Sequence, residues 1–157
     1  MKYLPISTFN KVPLTKNTLV LCDIDDTLIT NRTVYLKPKE NNSNKPNIKL
    51  DLPIYIDKNG FLNLLQRLRI TESKLYFITS RTEKAKEFTD NQFKLLNIDT
   101  TTYPILFCGQ THKSNIVKTN INVSNYNNII FIDDLTSNLY HMKKEFGDKV
   151  NCFLFKK

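Results

Sequence analysis

Hydrophobic residues along the chain follow two alternating patterns. Some segments repeat apolar residues at the spacing of one helical face, as in residues 60–70, where positions 61, 62, 64, 65 and 68 are apolar. Others are short continuous apolar runs, which are typical of strands buried on both faces. The patterns predict helices at residues 60–70, 82–98, 113–121 and 136–146, and strands at residues 18–24, 74–80, 103–109, 127–133 and 150–155.

Strands and helices therefore alternate through most of the chain. Such alternation is typical of βαβ units with right-handed crossovers and a mainly parallel sheet. We predict an α/β fold, a three-layer sandwich around a Rossmann-like, five-stranded sheet. A length of 157 residues suits one domain with a single core, so we assign residues 1–157 to one domain.

Residues 31–59 interrupt the alternation. The segment holds three prolines and an asparagine-rich centre, which predict a polar loop or flap insertion with room for one short hairpin. It is too short and too polar to form a large helical cap. A site beside it is therefore expected to be open to solvent.

Polar side chains follow four of the predicted strands. Because ligands of parallel sheets bind beyond the carboxyl ends of the strands, these side chains are expected to share one rim. Like charges at a buried strand end destabilise a fold unless a cation or hydrogen-bond donors compensate them, so the acidic residues indicate an electropositive partner. The residues at these strand ends are Asp23, Asp25 and Asp26 for the first strand, Thr79, Ser80 and Arg81 for the second, residues 109–113 for the third, and Asp133 and Asp134 for the fourth.

Composition narrows the possible partners and locations. The net charge of +8 permits a nucleic-acid partner, but the lysines are scattered and no stripe alternates basic with aromatic residues, so general surface solvation is favoured. The first 16 residues lack an apolar signal segment and no run approaches a membrane span. We expect a cytoplasmic protein without membrane association. The three cysteines lie in apolar runs without metal-ligand spacing, which indicates buried hydrophobic roles.

Four short motifs resemble motifs one to four of the haloacid-dehalogenase-like (HAD) hydrolase superfamily. They are DIDDT at residues 23–27, the strand-terminal Thr79 in YFITSR, Lys113 after the third strand, and the acidic pair in FIDDLTSN. Their order matches that of the family, and together they span residues 19–138. The chain is similar to small HAD-like members that have a paired-acid fourth motif and no large cap domain.

The resemblance implies a role for each motif residue. Asp23 would be the nucleophile that forms an aspartyl-phosphate, and Asp25 would be the general acid and base. Thr79 would hydrogen-bond a phosphoryl oxygen, with Ser80 as the alternative, while Ser80 and Arg81 would line the substrate pocket. Lys113, with Lys118 as the alternative, would offset the charge of the nucleophile and the phosphoryl group.

The resemblance also implies a magnesium site. Mg²⁺ prefers oxygen ligands, which Asp23, the backbone carbonyl of Asp25, and Asp134 would supply, with Asp133 as their supporting partner. Asn138 stands where many members carry another acid. His112 and His141 lack paired ligand spacing, so surface or packing roles are favoured for both.

The function implied is a Mg²⁺-dependent phosphatase that hydrolyses a phosphomonoester, on a substrate whose identity the sequence does not give. An open site suits a macromolecular substrate. One alternative is a polynucleotide-end phosphatase or another nucleic-acid-processing protein. Another is a non-catalytic binding module on a HAD scaffold, against which the intact set of catalytic residue types counts.

Overall fold

The computed structural model describes residues 3–37 and 46–157, which form eight strands and four α-helices. None of these four described helices is long and apolar enough to cross a membrane. The strands are β1 (Leu4–Ile6), β2 (Thr18–Cys22), β3 (Ile29–Leu36), β4 (Ile48–Tyr55), β5 (Lys74–Thr79), β6 (Ile105–Phe107), β7 (Asn128–Asp133) and β8 (Val150–Phe155). The helices are α1 (Lys58–Ile70), α2 (Lys86–Leu95), α3 (Lys113–Asn120) and α4 (Thr136–Phe146).

Six strands form one parallel sheet in the order β1-β8-β7-β2-β5-β6. Alternate residues of β2 belong to two separate cores. Val20 packs in the core that contains Phe61 of α1 and Phe93 of α2. Leu21 packs in the core that contains Val117 of α3 and Leu139 of α4. Helices therefore cover both faces of the sheet, which confirms the predicted α/β fold with a mainly parallel sheet.

The central sheet has six strands rather than the five predicted from the sequence. The additional strand, β1, is only three residues long and contains Pro5, so it lacks a recognisable apolar run. Proline has no backbone N–H, and a strand at the sheet edge tolerates that loss. β1 occupies such an edge and pairs only with β8 among the described strands.

Two other predicted elements are shorter than expected. The third predicted strand, residues 103–109, is reduced to β6. The predicted helix at residues 82–98 starts with a 3-10 turn at Glu83–Ala85 and continues as the α-helix α2 only to Leu95. Thr82 precedes that turn without a side-chain capping hydrogen bond.

The segment predicted as a polar loop or flap contains a longer hairpin than expected. β3 and β4 pair antiparallel over eight residues each, from Ile29 opposite Tyr55 to Leu36 opposite Ile48. Pro53 lies within β4. A proline is tolerated there because each strand of a two-stranded sheet has one edge that needs no backbone N–H for pairing. The asparagine-rich centre, residues 38–45, lies outside the described residues.

Candidate active site

Three aspartates meet at the carboxyl ends of the central strands β2 and β7. Cys22 lies opposite Ile132 in the register, and the N–H of Asp23 continues the ladder by donating to the Ile132 carbonyl at 3.0 Å. Asp23 and Asp133 therefore leave adjacent strands at the same level, and Asp134 follows directly. Each of the three aspartates offers a carboxylate oxygen within 4.8 Å of the others.

Lys113 lies between two of these carboxylates. Its Nζ donates to Oδ1 of Asp23 at 2.6 Å and to Oδ2 of Asp133 at 2.7 Å. Burial by itself lowers the pKa of Lys113, but the two carboxylates outweigh burial and leave this pKa raised. The side chain is therefore a fixed ammonium ion at neutral pH. It occupies the first residue of α3.

Hydrogen bonds hold the carboxylates in place. The Thr27 hydroxyl donates to Oδ2 of Asp23 at 2.9 Å and lies 3.5 Å from Oδ1 of Asp134. Both oxygens of Asp133 are engaged, because the N–H of Leu135 donates to Oδ1 and the Asn138 amide donates to Oδ2. Asn138 thus supports Asp133 directly. The sequence interpretation gave Thr27 no role, although it ends the DIDDT motif.

The charges of this acidic group do not balance. Burial raises the pKa of Asp23 well above its usual range, opposed by Lys113 and reinforced by Asp133. Burial also raises the pKa of the half-buried Asp134. Among the residues that the structure describes, three carboxylates face one ammonium, so a further cation would stabilise the ionised forms. The donors are all carboxylate oxygens, which are the ligands that a hard divalent cation such as Mg²⁺ prefers.

The turn after β2 separates Asp25 from this group. The carbonyl of Ile24 accepts hydrogen bonds from the N–H groups of Leu28 and Ile29 at 3.0 and 3.1 Å. Asp26 adopts a left-handed backbone with φ of 62°, which aspartate and asparagine tolerate better than most residues. Its carboxylate pairs with Nζ of Lys157 at 2.5 Å.

The Asp25 carboxylate is held by Arg81. Nε of Arg81 donates to Oδ2 at 2.9 Å and Nη2 donates to Oδ1 at 2.7 Å. Arg81 was predicted to line a substrate pocket, and the structure places its guanidinium on Asp25. The Asp25 side chain remains 44% exposed, whereas that of Arg81 is 11% exposed.

The structure distinguishes the two candidate lysines. Lys118 is exposed and pairs with Glu145 at 2.9 Å, so Lys113 is the lysine that meets the acidic group. Thr79 is buried at the end of β5, and its hydroxyl accepts a hydrogen bond from the N–H of Arg81 at 3.1 Å. The neighbouring Ser80 is exposed. Which of Thr79 and Ser80 contacts a phosphoryl group stays a prediction.

The two histidines come together at the start of α3. His112 directly precedes α3, and its ring stacks on that of His141 of α4 with centroids 3.9 Å apart. Tyr140 packs edge-on against His141 at 5.4 Å. Neither histidine belongs to the metal-compatible group found among the described residues.

Comparisons with known proteins are sparse. No family model matches the chain, and no curated protein does. Among solved structures, a chain in "Structure of Pnkp1/Rnl/Hen1 complex" is similar, with a TM-score of 0.54 and 15% sequence identity. The similarity covers 97% of this chain and 51% of that one, so the present chain spans about half its length. At this identity the likeness shows the fold alone.

The buried lysine yields a stability prediction. Lys113→Met removes the ammonium that Asp23 and Asp133 share, so it should lower the free energy of unfolding by roughly 3–5 kcal/mol. The pKa of Lys113 is raised in the folded state, so this stabilisation persists at neutral pH and is lost only as pH rises through that raised value. Lys118→Met removes an exposed ion pair instead. Its free energy of unfolding, measured in urea, should change by less than about 1 kcal/mol. Equal losses in the two variants would contradict the assigned role of Lys113.

Proposed function

We propose that this protein is a metal-dependent phosphomonoesterase with HAD-like chemistry. The observation that carries the proposal is the position of Asp23 at the end of a central strand, bonded to Lys113 at 2.6 Å and beside Asp133 and Asp134. A carboxylate held against a fixed cation is oriented for attack, and the same cation offsets negative charge on an incoming phosphoryl group. The resemblance of the four sequence motifs agrees with this interpretation.

Each step of the reaction uses a residue of this chain. A carboxylate oxygen of Asp23 attacks the phosphorus atom, and the bond from phosphorus to the leaving oxygen breaks. Asp25 enters this step in its protonated form and gives the proton to that oxygen. It then takes a proton from the water that attacks the aspartyl-phosphate, which restores the protonated acid. Phosphate leaves and Asp23 is regenerated. Thr79 and Lys113 hold the phosphoryl oxygens during both steps.

The acidic group fits a magnesium ion. Asp23, Asp134 and the backbone carbonyl of Asp25 would hold it, while Asp133 is committed to Lys113, Asn138 and the N–H of Leu135. A bound divalent cation would supply positive charge that lowers the repulsion between the carboxylate and the phosphoryl oxygens. The uncompensated charge of the three carboxylates supports this assignment.

A substrate screen tests the proposed function. Phosphorylated metabolites, phosphopeptides and oligonucleotides with a 3′- or 5′-phosphate should be incubated with the protein and Mg²⁺, and inorganic phosphate measured. We expect release from at least one class. No release from any class, by a folded protein that binds Mg²⁺, would favour a non-catalytic binding module instead.

A polynucleotide-end phosphatase is the second candidate, favoured by a cluster of aromatic rings that includes His112, the residue before Lys113. The stacked His112 and His141 adjoin Tyr140, which is 49% exposed. Exposed aromatic side chains can stack on nucleic-acid bases, and a net charge of +8 favours a polyanion.

The second candidate predicts a substrate-selective loss. Tyr140→Ala should lower kcat/KM for a phosphorylated oligonucleotide by about 10-fold, because one stacked base contributes roughly 1–3 kcal/mol. Hydrolysis of p-nitrophenyl phosphate should change little. Tyr35→Ala, which removes an exposed tyrosine on β3, is the matched control. Equal effects of Tyr140→Ala on both substrates would argue against base stacking.

A further inference from the structure

The orientation of Asp25 is fixed by a residue outside its own turn. Arg81 follows β5, yet its Nε and Nη2 reach both oxygens of the Asp25 carboxylate, at 2.9 and 2.7 Å. A bidentate guanidinium pair fixes the plane of the carboxylate as well as its position. The Asp25 side chain is 44% exposed, and Arg81 is its one salt-bridge partner among the described residues.

Helix α2 holds the other side of the guanidinium. Nη1 of Arg81 donates to the hydroxyl of Thr89 at 3.0 Å and to Oε1 of Gln92 at 2.7 Å. Thr89 and Gln92 are 0% and 2% exposed. Polar side chains this deeply buried destabilise a fold unless their hydrogen bonds are made. Arg81 donates one bond to each, and the Thr89 hydroxyl also donates to the Ala85 carbonyl at 2.7 Å. These bonds account for two polar residues on a buried face of α2.

The β3–β4 hairpin joins the same set of contacts. Nε2 of Gln92 donates to Oδ1 of Asn31 on β3 at 2.8 Å. A continuous series of hydrogen bonds therefore runs from Asn31 through Gln92 and Arg81 to Asp25. Gln92 uses its carbonyl for Arg81 and its amide for Asn31, so a shift of the hairpin changes the contacts of Arg81.

We propose that Arg81 is a positioning residue for Asp25, and that Asn31 and Gln92 couple it to the placement of the β3–β4 hairpin. The proposal rests on the function proposed above. Asp25 must face the leaving oxygen to protonate it, and the Asn31-to-Asp25 hydrogen bonds set that direction. The position of the hairpin thereby controls how well the site protonates a leaving group.

The dependence on the leaving group tests this proposal. An alkyl phosphate such as glycerol phosphate needs a general acid, whereas p-nitrophenolate leaves without a proton. In Arg81→Gln the ratio of kcat for the alkyl ester to kcat for the aryl ester should fall by about 100-fold, since general acid catalysis contributes roughly 10²–10⁴-fold. Arg81→Lys keeps the charge without the planar fork and should show the same fall.

Separate variants test the contact between Asn31 of the hairpin and Gln92. Asn31 is exposed, so Asn31→Ala should fold even where Arg81→Gln is unstable. It should lower the ratio of alkyl-ester to aryl-ester kcat by about 3-fold to 10-fold, which is a fraction of the full general-acid effect. Thr33→Ala is the matched control. Thr33 is also exposed on β3, but its hydroxyl donates to Asp51 at 2.9 Å, so the ratio should not change.

Different outcomes separate the proposal from the function on which it rests. Equal losses on both esters with a raised KM would mean that Arg81 binds the phosphate directly, which overturns the positioning role and leaves the phosphatase intact. A full restoration of the ratio by Arg81→Lys would also overturn it, since charge alone would suffice. Failure of the unmodified protein to hydrolyse either ester would remove the function as well.

Discussion

Asp23→Asn is expected to reduce phosphate release by on the order of 10³-fold or more, because an amide does not act as the attacking carboxylate. The substitution preserves the shape of the side chain. Lys113 keeps its contact with Asp133 at 2.7 Å, so the buried ammonium is not left without a partner. We therefore expect a folded protein without turnover, measured as phosphate release beside a thermal unfolding curve.

Asp26→Asn provides the control for this variant. It makes the same chemical change three residues further along, at an exposed side chain that pairs with Lys157. Asparagine tolerates the left-handed backbone of Asp26, so neither fold nor turnover should change appreciably. Phosphate release by Asp23→Asn at the rate of the unmodified protein would refute Asp23 as the nucleophile.

Much of the acidic group could be predicted from the sequence because of how central strands are built. β2 is buried at every one of its five residues, and such a run of apolar residues marks a strand covered on both faces. The carboxyl ends of parallel strands meet at one edge, so the residues that follow them converge. This rule predicts from the sequence alone that Asp23, Asp133 and Asp134 lie close together.

The contacts of Asp25 could not be predicted in the same way, because spacing along the chain does not give the direction of a side chain. The apolar pattern of residues 82–98 also does not give the buried face of α2. Phe88 and Leu95 are two of its apolar residues, yet they are 47% and 65% exposed. Thr89 and Gln92 are buried in their place, because hydrogen bonds to Arg81 offset the cost of burying their polar groups.

Removal of divalent metal is expected to stop turnover and lower stability, and Mg²⁺ should restore both. A ligand that binds only the folded state stabilises it by RT ln(1 + [L]/Kd), or about 2.7 kcal/mol at 100 times Kd. In the described part of the chain the site holds three carboxylates and one ammonium, so Mg²⁺ should raise the unfolding temperature even without substrate. Unchanged turnover after exhaustive chelation would contradict the metal assignment.

Asp134→Asn separates this metal effect from a general effect of ionic strength. Asp134 is the half-buried carboxylate of the group and has no salt bridge among the described residues, so its replacement should weaken Mg²⁺ binding with little loss of metal-free stability. A rise of about 10-fold in Kd would remove about 1.4 kcal/mol of the stabilisation at a given Mg²⁺ concentration above Kd. Asp51→Asn, on the exposed hairpin, should retain the full Mg²⁺ response, because Asp51 bonds Thr33 and lies outside the acidic group. An equal Mg²⁺ response in Asp134→Asn and Asp51→Asn would mean that the ion does not bind at Asp134.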